Sequence, residues 1–330
     1  MLRSLRPDSR GGAIPLREDR RLPERDAVSL VPALASAAYA AEVFAYHAGD
    51  HPMAGRRALG LSLWNPGAEW LVDDPTECAP LFLPSQLWII GLGNLGQAIV
   101  WLPASLPYRA KDRLELLLND FDTITISNQS TSLLSHEKDS GRTKARVVAD
   151  WLEARGFSTL LEQRPFGAWI ALAPDEPGVA LCGVDNAPAR AALEKAGFGL
   201  VVEAGLGAGP QAFRSISLHT FPATRSAEEI WSRQVGQADG SPEDMPAYKA
   251  LKDKGMDSCG LAQLASRTVA VPFVSVIAGC LVVAEILRRL NGGRAFELVS
   301  GSVAALEDVE TLSITSSTHS YGHVSADSEA

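Results

Sequence analysis

The sequence predicts an α/β protein, a doubly wound Rossmann-like sheet carrying an N-terminal extension. Three observations carry that prediction. Residues 87–96, LWIIGLGNLG, run an apolar strand straight into a turn with Gly91, Gly93 and Gly96 at G-x-G-x-x-G spacing. Residues 114–118, LELLL, have the near-continuous apolar character of a strand buried on both faces. Strand-like and helical words then alternate as far as about residue 218, the order expected of a parallel sheet.

Taken in chain order, residues 1–27 are rich in Arg, Asp, Pro and Gly and read as a mobile arm. Residues 28–47 predict an alanine-dense helix, 57–64 a strand and 65–84 a connection, so that 1–84 form the extension. The strand at 87–90 leads into a helix from Asn94, and the strand at 114–118 follows. Residues 144–155 predict a helix with Val147, Val148, Trp151 and Leu152 on one face. Strands are expected at 179–184, 200–202 and 213–218, with 187–196 helical between the first two.

Residues 222–258 turn polar and rich in Pro, Asp, Glu, Lys and Gly, too long for a simple connection. Residues 268–286 approach the length of a membrane span, but Pro272 interrupts them and Ser275 and Glu285 are polar. A strand or turn entering a buried core helix is therefore expected there. After about Thr311 the chain ends in a polar tail.

Composition excludes some functions. A net charge of -9 over 330 residues argues against nucleic acid as a major partner, since phosphate backbones need a basic surface. Nucleotide binding stays open, because it uses backbone amides and few cations. Cys78, Cys182, Cys259 and Cys280 lie too far apart for a CxxC zinc half-site. No apolar h-region follows the arginine-rich start. A cytoplasmic protein with free thiols and no membrane partner is the expectation.

The glycine turn alone serves NAD, FAD, SAM and ATP alike, so the residues beyond it decide. Asp120 closes the second strand, where an acidic side chain accepts hydrogen bonds from ribose hydroxyls or simply caps a loop. Asp122 follows, then Ser127-Asn128, Gly141-Arg142-Thr143-Lys144, and Asp185-Asn186 directly after an apolar strand. Read singly, Lys144 is a solvated helix start, Asn128 a turn former and Asp185 a helix N-cap. Together the five words, in this order across residues 86–290, resemble the ubiquitin-activating-enzyme/ThiF-type adenylyltransferase superfamily.

That resemblance implies binding of ATP with Mg2+ and activation of the C-terminal carboxylate of a ubiquitin-like protein ending in Gly, as an acyl-adenylate. Gly91, Gly93 and Gly96 would give close backbone approach to the nucleotide. Asp120 would bind the ribose, Asn128 and Lys144 the phosphates and Asp185 the Mg2+, with Asp122 and Asn186 beside them. The sequence departs from the family where an Arg-Gln pair usually follows Ser-Asn: Thr131 and Ser132 stand there. Arg142 is the first candidate to supply the missing cation beside Lys144, and an arginine from a partner subunit's N-terminal arm the second.

The resemblance also places a crossover loop at about 222–260 within an adenylation domain at 85–310, followed by a tail at 311–330. Cys259 stands where that loop delivers a nucleophile, with Ser258 and Gly260 small beside it and Lys252 and Lys254 favouring a thiolate. It is expected to take the acyl group as a thioester and pass it to a conjugating enzyme, the plain alternative being a loop cysteine without a role. Cys182 and Cys280 read as small buried hydrophobes, and Cys78 lies outside the similarity. One adenylation unit implies a homodimer of the minimal bacterial type, relatives of which serve ubiquitin-like conjugation and, in some systems, antiphage defence. Three alternatives stay open: a sulfur-carrier adenylyltransferase of the thiamine or molybdopterin kind, an NAD-dependent oxidoreductase on the same turn, and a non-catalytic nucleotide-binding scaffold, which Thr131 favours.

Overall fold

The computed structural model describes residues 9–14, 28–49, 51–72, 74, 77, 80–207, 212–235, 271–314 and 322–326. Its centre is an eight-stranded sheet. Parallel strands lie side by side in the order β6 (Ser158–Glu162), β5 (Glu115–Asn119), β4 (Gln86–Ile90), β7 (Val179–Cys182), β8 (Leu200–Leu206). Then β9 (Ser215–Phe221), β10 (Ala295–Ser302) and β11 (Ala305–Ile314) extend it antiparallel. The doubly wound α/β fold expected from the sequence is present.

Alternation along each strand sorts the core onto two faces. Leu87 and Ile89 of β4 and Val179 and Leu181 of β7 enter one apolar cluster, while Trp88, Ile90, Ala180 and Cys182 enter the other. The first face is covered by α2 (Asn94–Ala104) and α7 (Pro272–Leu290), with α1 (Leu30–Ala48) outside α7. Buried positions of α1 recur at three- and four-residue steps, Leu30, Leu34, Ala37, Ala38, Ala41 and Ala45, as one stripe against α7 demands. The second face is covered by α5 (Ala187–Ala191) and α6 (Ala227–Val235).

Helix α7 explains the long apolar stretch. Pro272 opens it at the first helical position, and Val274–Arg288 is buried on all sides. Its last turns are ionic: Glu285 pairs with Arg288 and with Arg289 (2.6 Å) and accepts the Phe296 N–H (3.1 Å). Arg288 also donates to the carbonyls of Leu63 and Arg294. Among the described residues no helix is long and apolar enough to cross a membrane.

Several expectations need correction. The arm read at 1–27 holds β1 (Arg10–Ala13), paired antiparallel with β2 (Leu59–Ser62). The tail read from about 311 instead contains the end of β11 and a strand β12 (His323–Ser325), which pairs with β3 (Phe82–Pro84). The helix expected over 187–196 breaks after α5 into a 3-10 turn, Leu193–Ala196. Strands β6, β10 and β11 were not expected, and α6 occupies part of the polar stretch at 222–258.

Candidate active site

Strand order locates the crevice before any side chain is considered. The chain leaves β4 toward β5 on one side, and β7 arrives on the other, so the carboxyl ends of β4 and β7 mark the topological switch point. A cavity of about 870 Å3 opens there, walled by the glycine turn, by the residues after β5 and β6, and by the loop from β7 to α5.

The turn has room for nothing but glycine at two points. Gly91 has φ +84°, and a Cβ there would meet Val184 at 2.7 Å. A Cβ on Gly96 would lie 1.8 Å from the Gly91 carbonyl oxygen, so helix α2 can start only on bare backbone. Gly93 is different: a Cβ there would meet nothing within 4 Å, and the residue presents open main chain to the cavity at the start of α2. Such an N-terminus attracts an anion through its unsatisfied N–H groups. Buried Gln97 locks the turn from below, donating to Leu92 O (3.1 Å) and Ser135 Oγ (2.8 Å) and accepting the Leu134 N–H (2.8 Å).

Asp120 lines the cavity, and its carboxylate accepts the N–H groups of Leu92 (2.6 Å) and Asp122 (2.8 Å). Burial pushes this carboxyl above the usual range, against the pull of Lys144 and of those two donors. It therefore ties the ends of β4 and β5 together, a role the loop-cap reading only partly anticipates. The segment after it is zipped to the G-x-x-K word. Ile124 N–H donates to Arg142 O (2.8 Å), Gly141 N–H to Ile124 O (2.9 Å) and Lys144 N–H to Asp122 O (2.9 Å). The Lys144 ammonium, half-buried in the wall, donates to Asp122 Oδ2 at 2.8 Å.

Asn128 also lines the cavity, with Oδ1 accepting from the Thr125 N–H and hydroxyl, so the turn-forming part of its reading is real. At the β7 end, the N-cap of α5 is Asn186, whose Oδ1 accepts the Ala189 N–H at 3.0 Å, and not Asp185. Asp185 is exposed in the cavity and makes no ion pair or hydrogen bond among the described residues. A lone carboxylate beside an anion-binding helix start suits a hard divalent ion shared with phosphate oxygens. Among the described residues no group of three or more His, Cys, Asp or Glu side chains gathers for a metal.

Arg142 does not reach this place. Its guanidinium pairs with Asp150 and Asp139 (3.3 Å) on the outside of α4 (Lys144–Glu153), and it is absent from the cavity wall. Besides Lys144, the cations lining the cavity are Arg164, Arg190 and Lys195. Arg190, unremarked in the sequence, is held by a buried set: Nε donates to Val184 O (2.7 Å) and pairs with fully buried Glu203 (3.2 Å). Its guanidinium lies over Trp231, 4.4 Å from the ring centroid, and Glu203 also contacts His219 Nδ1 (3.2 Å). A charged residue inside the Ala-rich word APARAA was the available signal. Cys259 and Cys78 lie outside the described residues. Cys182 and Cys280 are buried free thiols, and burial pushes Cys182 up to about 12.

Comparison with known proteins agrees with the five sequence words. The family described as BilD C-terminal domain matches residues 83–293, and BilD N-terminal domain matches residues 8–63. A bacterial E1-like protein BilD from Collimonas sp. (strain OK412) is 60% identical over 317 residues, 96% of this chain and 69% of that protein. Among solved structures, E. coli MccB with succinimide shares 13% identity over 69% of this chain and 64% of its own, with a TM-score of 0.45. E. coli tRNA N6-threonylcarbamoyladenosine dehydratase, TcdA, in complex with ATP shares 12% identity over 63% of this chain and 86% of its own, at 0.40. The chain thus spans less than two thirds of the MccB chain.

Proposed function

Because the chain belongs to the bacterial E1-like BilD family, we propose that its crevice binds ATP with Mg2+ and adenylates the C-terminal carboxylate of a ubiquitin-like protein. One observation carries the reading. The switch-point cavity gathers an open helix N-terminus at Gly93, Asp120, Lys144 and Asp185, which has no partner among the described residues. This set suits a triphosphate and its cation, and nothing in it resembles a His-centred hydride-transfer site.

In the proposed step a carboxylate oxygen attacks the α-phosphorus and pyrophosphate leaves. Two anions must meet, so the protein's contribution is positioning and charge neutralisation. The α2 N-terminus and Lys144 would take the phosphate oxygens, Asp120 a ribose hydroxyl, and Asp185 the Mg2+, which screens the triphosphate's negative charge. Arg190 acts through its bond to Val184 O, fixing the backbone next to Asp185. Arg142, committed to Asp139 and Asp150 and absent from the cavity wall, does not supply the missing cation, which leaves an arginine from a partner subunit's N-terminal arm.

In the second proposed step the Cys259 thiolate attacks the acyl carbon and AMP leaves, giving a thioester for a conjugating enzyme. A homodimer is the proposed assembly. The test is ATP–pyrophosphate exchange with the cognate ubiquitin-like protein. Asp185→Ala and Lys144→Ala should each lower exchange 100-fold or more with an unchanged Tm. Cys259→Ala should keep exchange and lose a thiol-sensitive adduct. Full exchange in Asp185→Ala would sink the site assignment; an adduct surviving in Cys259→Ala would remove that cysteine from the pathway, and a partner-dependent persulfide at Cys259 would favour the sulfur-carrier reading.

A further inference from the structure

The wall of the cavity that no nucleotide motif explains is aromatic. Phe121 and Trp169 both line the cavity, yet Phe121 is 55% exposed and Trp169 68% exposed. Neither makes a hydrogen bond or ring contact among the described residues. A large apolar ring left bare at the lip of a polar crevice loses hydration free energy unless something flat covers it.

Sheet order says what would cover it. Across β7, β4, β5 and β6 the carboxyl ends present, in turn, Asp185, the glycine turn, Asp120 with Phe121, and the loop bearing Arg164 to Trp169. Neighbouring strands are about 4.8 Å apart. A nucleotide with its phosphates over β4 and β7 and its ribose at Asp120 must carry its base onward over β6, toward Trp169.

The loop there is built to hold a ring still. The Asn119 amide donates to Glu162 O (2.9 Å) and Arg164 O (2.8 Å), tying the loop's root to β5. Ile170 N–H closes a turn onto Gly167 O at 3.0 Å. The Trp169 indole lies against Gly167, where a Cβ would come within 2.5 Å of the ring, so glycine lets the indole rest on bare backbone. The charged side chains Asp122 and Arg164 at this end are engaged, with Lys144 and Glu162 respectively.

The geometry points to Trp169, assisted by Phe121, as the platform on which the nucleobase stacks, so that the base is gripped by its face. This rests on the reading of the crevice as an ATP site. Calorimetry on the full chain with two probes, Mg-ATP and baseless Mg-tripolyphosphate, separates the two ideas. Stacking strengths imply that Trp169→Ala raises the Kd for ATP about 10- to 100-fold. Tripolyphosphate binding should be unchanged, and Trp169→Phe should stay within about threefold of the parent for ATP, since any aromatic face serves. Equal losses for both probes, or wild-type ATP affinity in Trp169→Ala, would overturn the platform. Failure of the parent chain to bind ATP would instead overturn the reading beneath it.

Discussion

At the scale of single residues, the tightest constraint is Gly96. Only its missing Cβ lets α2 begin there, since a Cβ would lie 1.8 Å from the Gly91 carbonyl oxygen. Gly96→Ala must shift the turn, and a cost of about 2–4 kcal/mol is expected in urea unfolding, with ATP affinity lost alongside. The glycines and Asp120 were legible from their spacing after apolar strands, and Lys144 and Asp185 from the resemblance of the five words, taken in order, to an adenylyltransferase superfamily. The structure brings Gly91, Gly93, Asp120, Lys144 and Asp185 to one cavity, with Gly96 behind the turn. Arg142 was not legible, because its direction is set by Asp139 just before it and Asp150 eight residues on, which capture its guanidinium whatever word it sits in. Arg190 and Trp169 were missed for the opposite reason. Their importance comes from Glu203 and Gly167, contacts that no local pattern announces.

Elements buried on both faces were read correctly and edge elements were not. The buried centres of β4, β5 and β7 are apolar, and α7 is buried on every side, so their apolar runs mark them. By contrast β11 has buried Leu306 among exposed or half-buried neighbours, and β6 at the sheet edge has no fully buried residue, leaving no apolar run to notice. The end of α7 carries its own prediction. Among the described residues Glu285 is the sole carboxylate paired with buried Arg288, and removing it strands a charge inside the core. Glu285→Ala should cost about 3–5 kcal/mol in chemical denaturation. The double change Glu285→Leu with Arg288→Met should cost less than that single change, because it removes both charges at once.

For the molecule as a whole, the N-terminal elements are not a separate layer. Leu30, Leu34, Leu59 and Leu61 share one apolar cluster with Ile89, Ile99 and Leu281, so the crevice and the extension unfold together. Ligand bound in the crevice should therefore protect the entire fold. ATP with Mg2+ at 100 times its Kd should add about 2.7 kcal/mol, read as a Tm rise of several degrees. NAD at the same concentration should add none, and a reversed order would restore the oxidoreductase reading. The pairing of Ile90 with Cys182 has a consequence for synthesis. The two lips of the crevice are adjacent in space but belong to distant parts of the chain, and Arg190, which steadies one lip, leans on Glu203 and Trp231 further on. A nascent chain on the ribosome therefore owns a glycine turn long before it owns a pocket. Any product cut short before β8 carries the most recognisable word of the sequence and none of its chemistry.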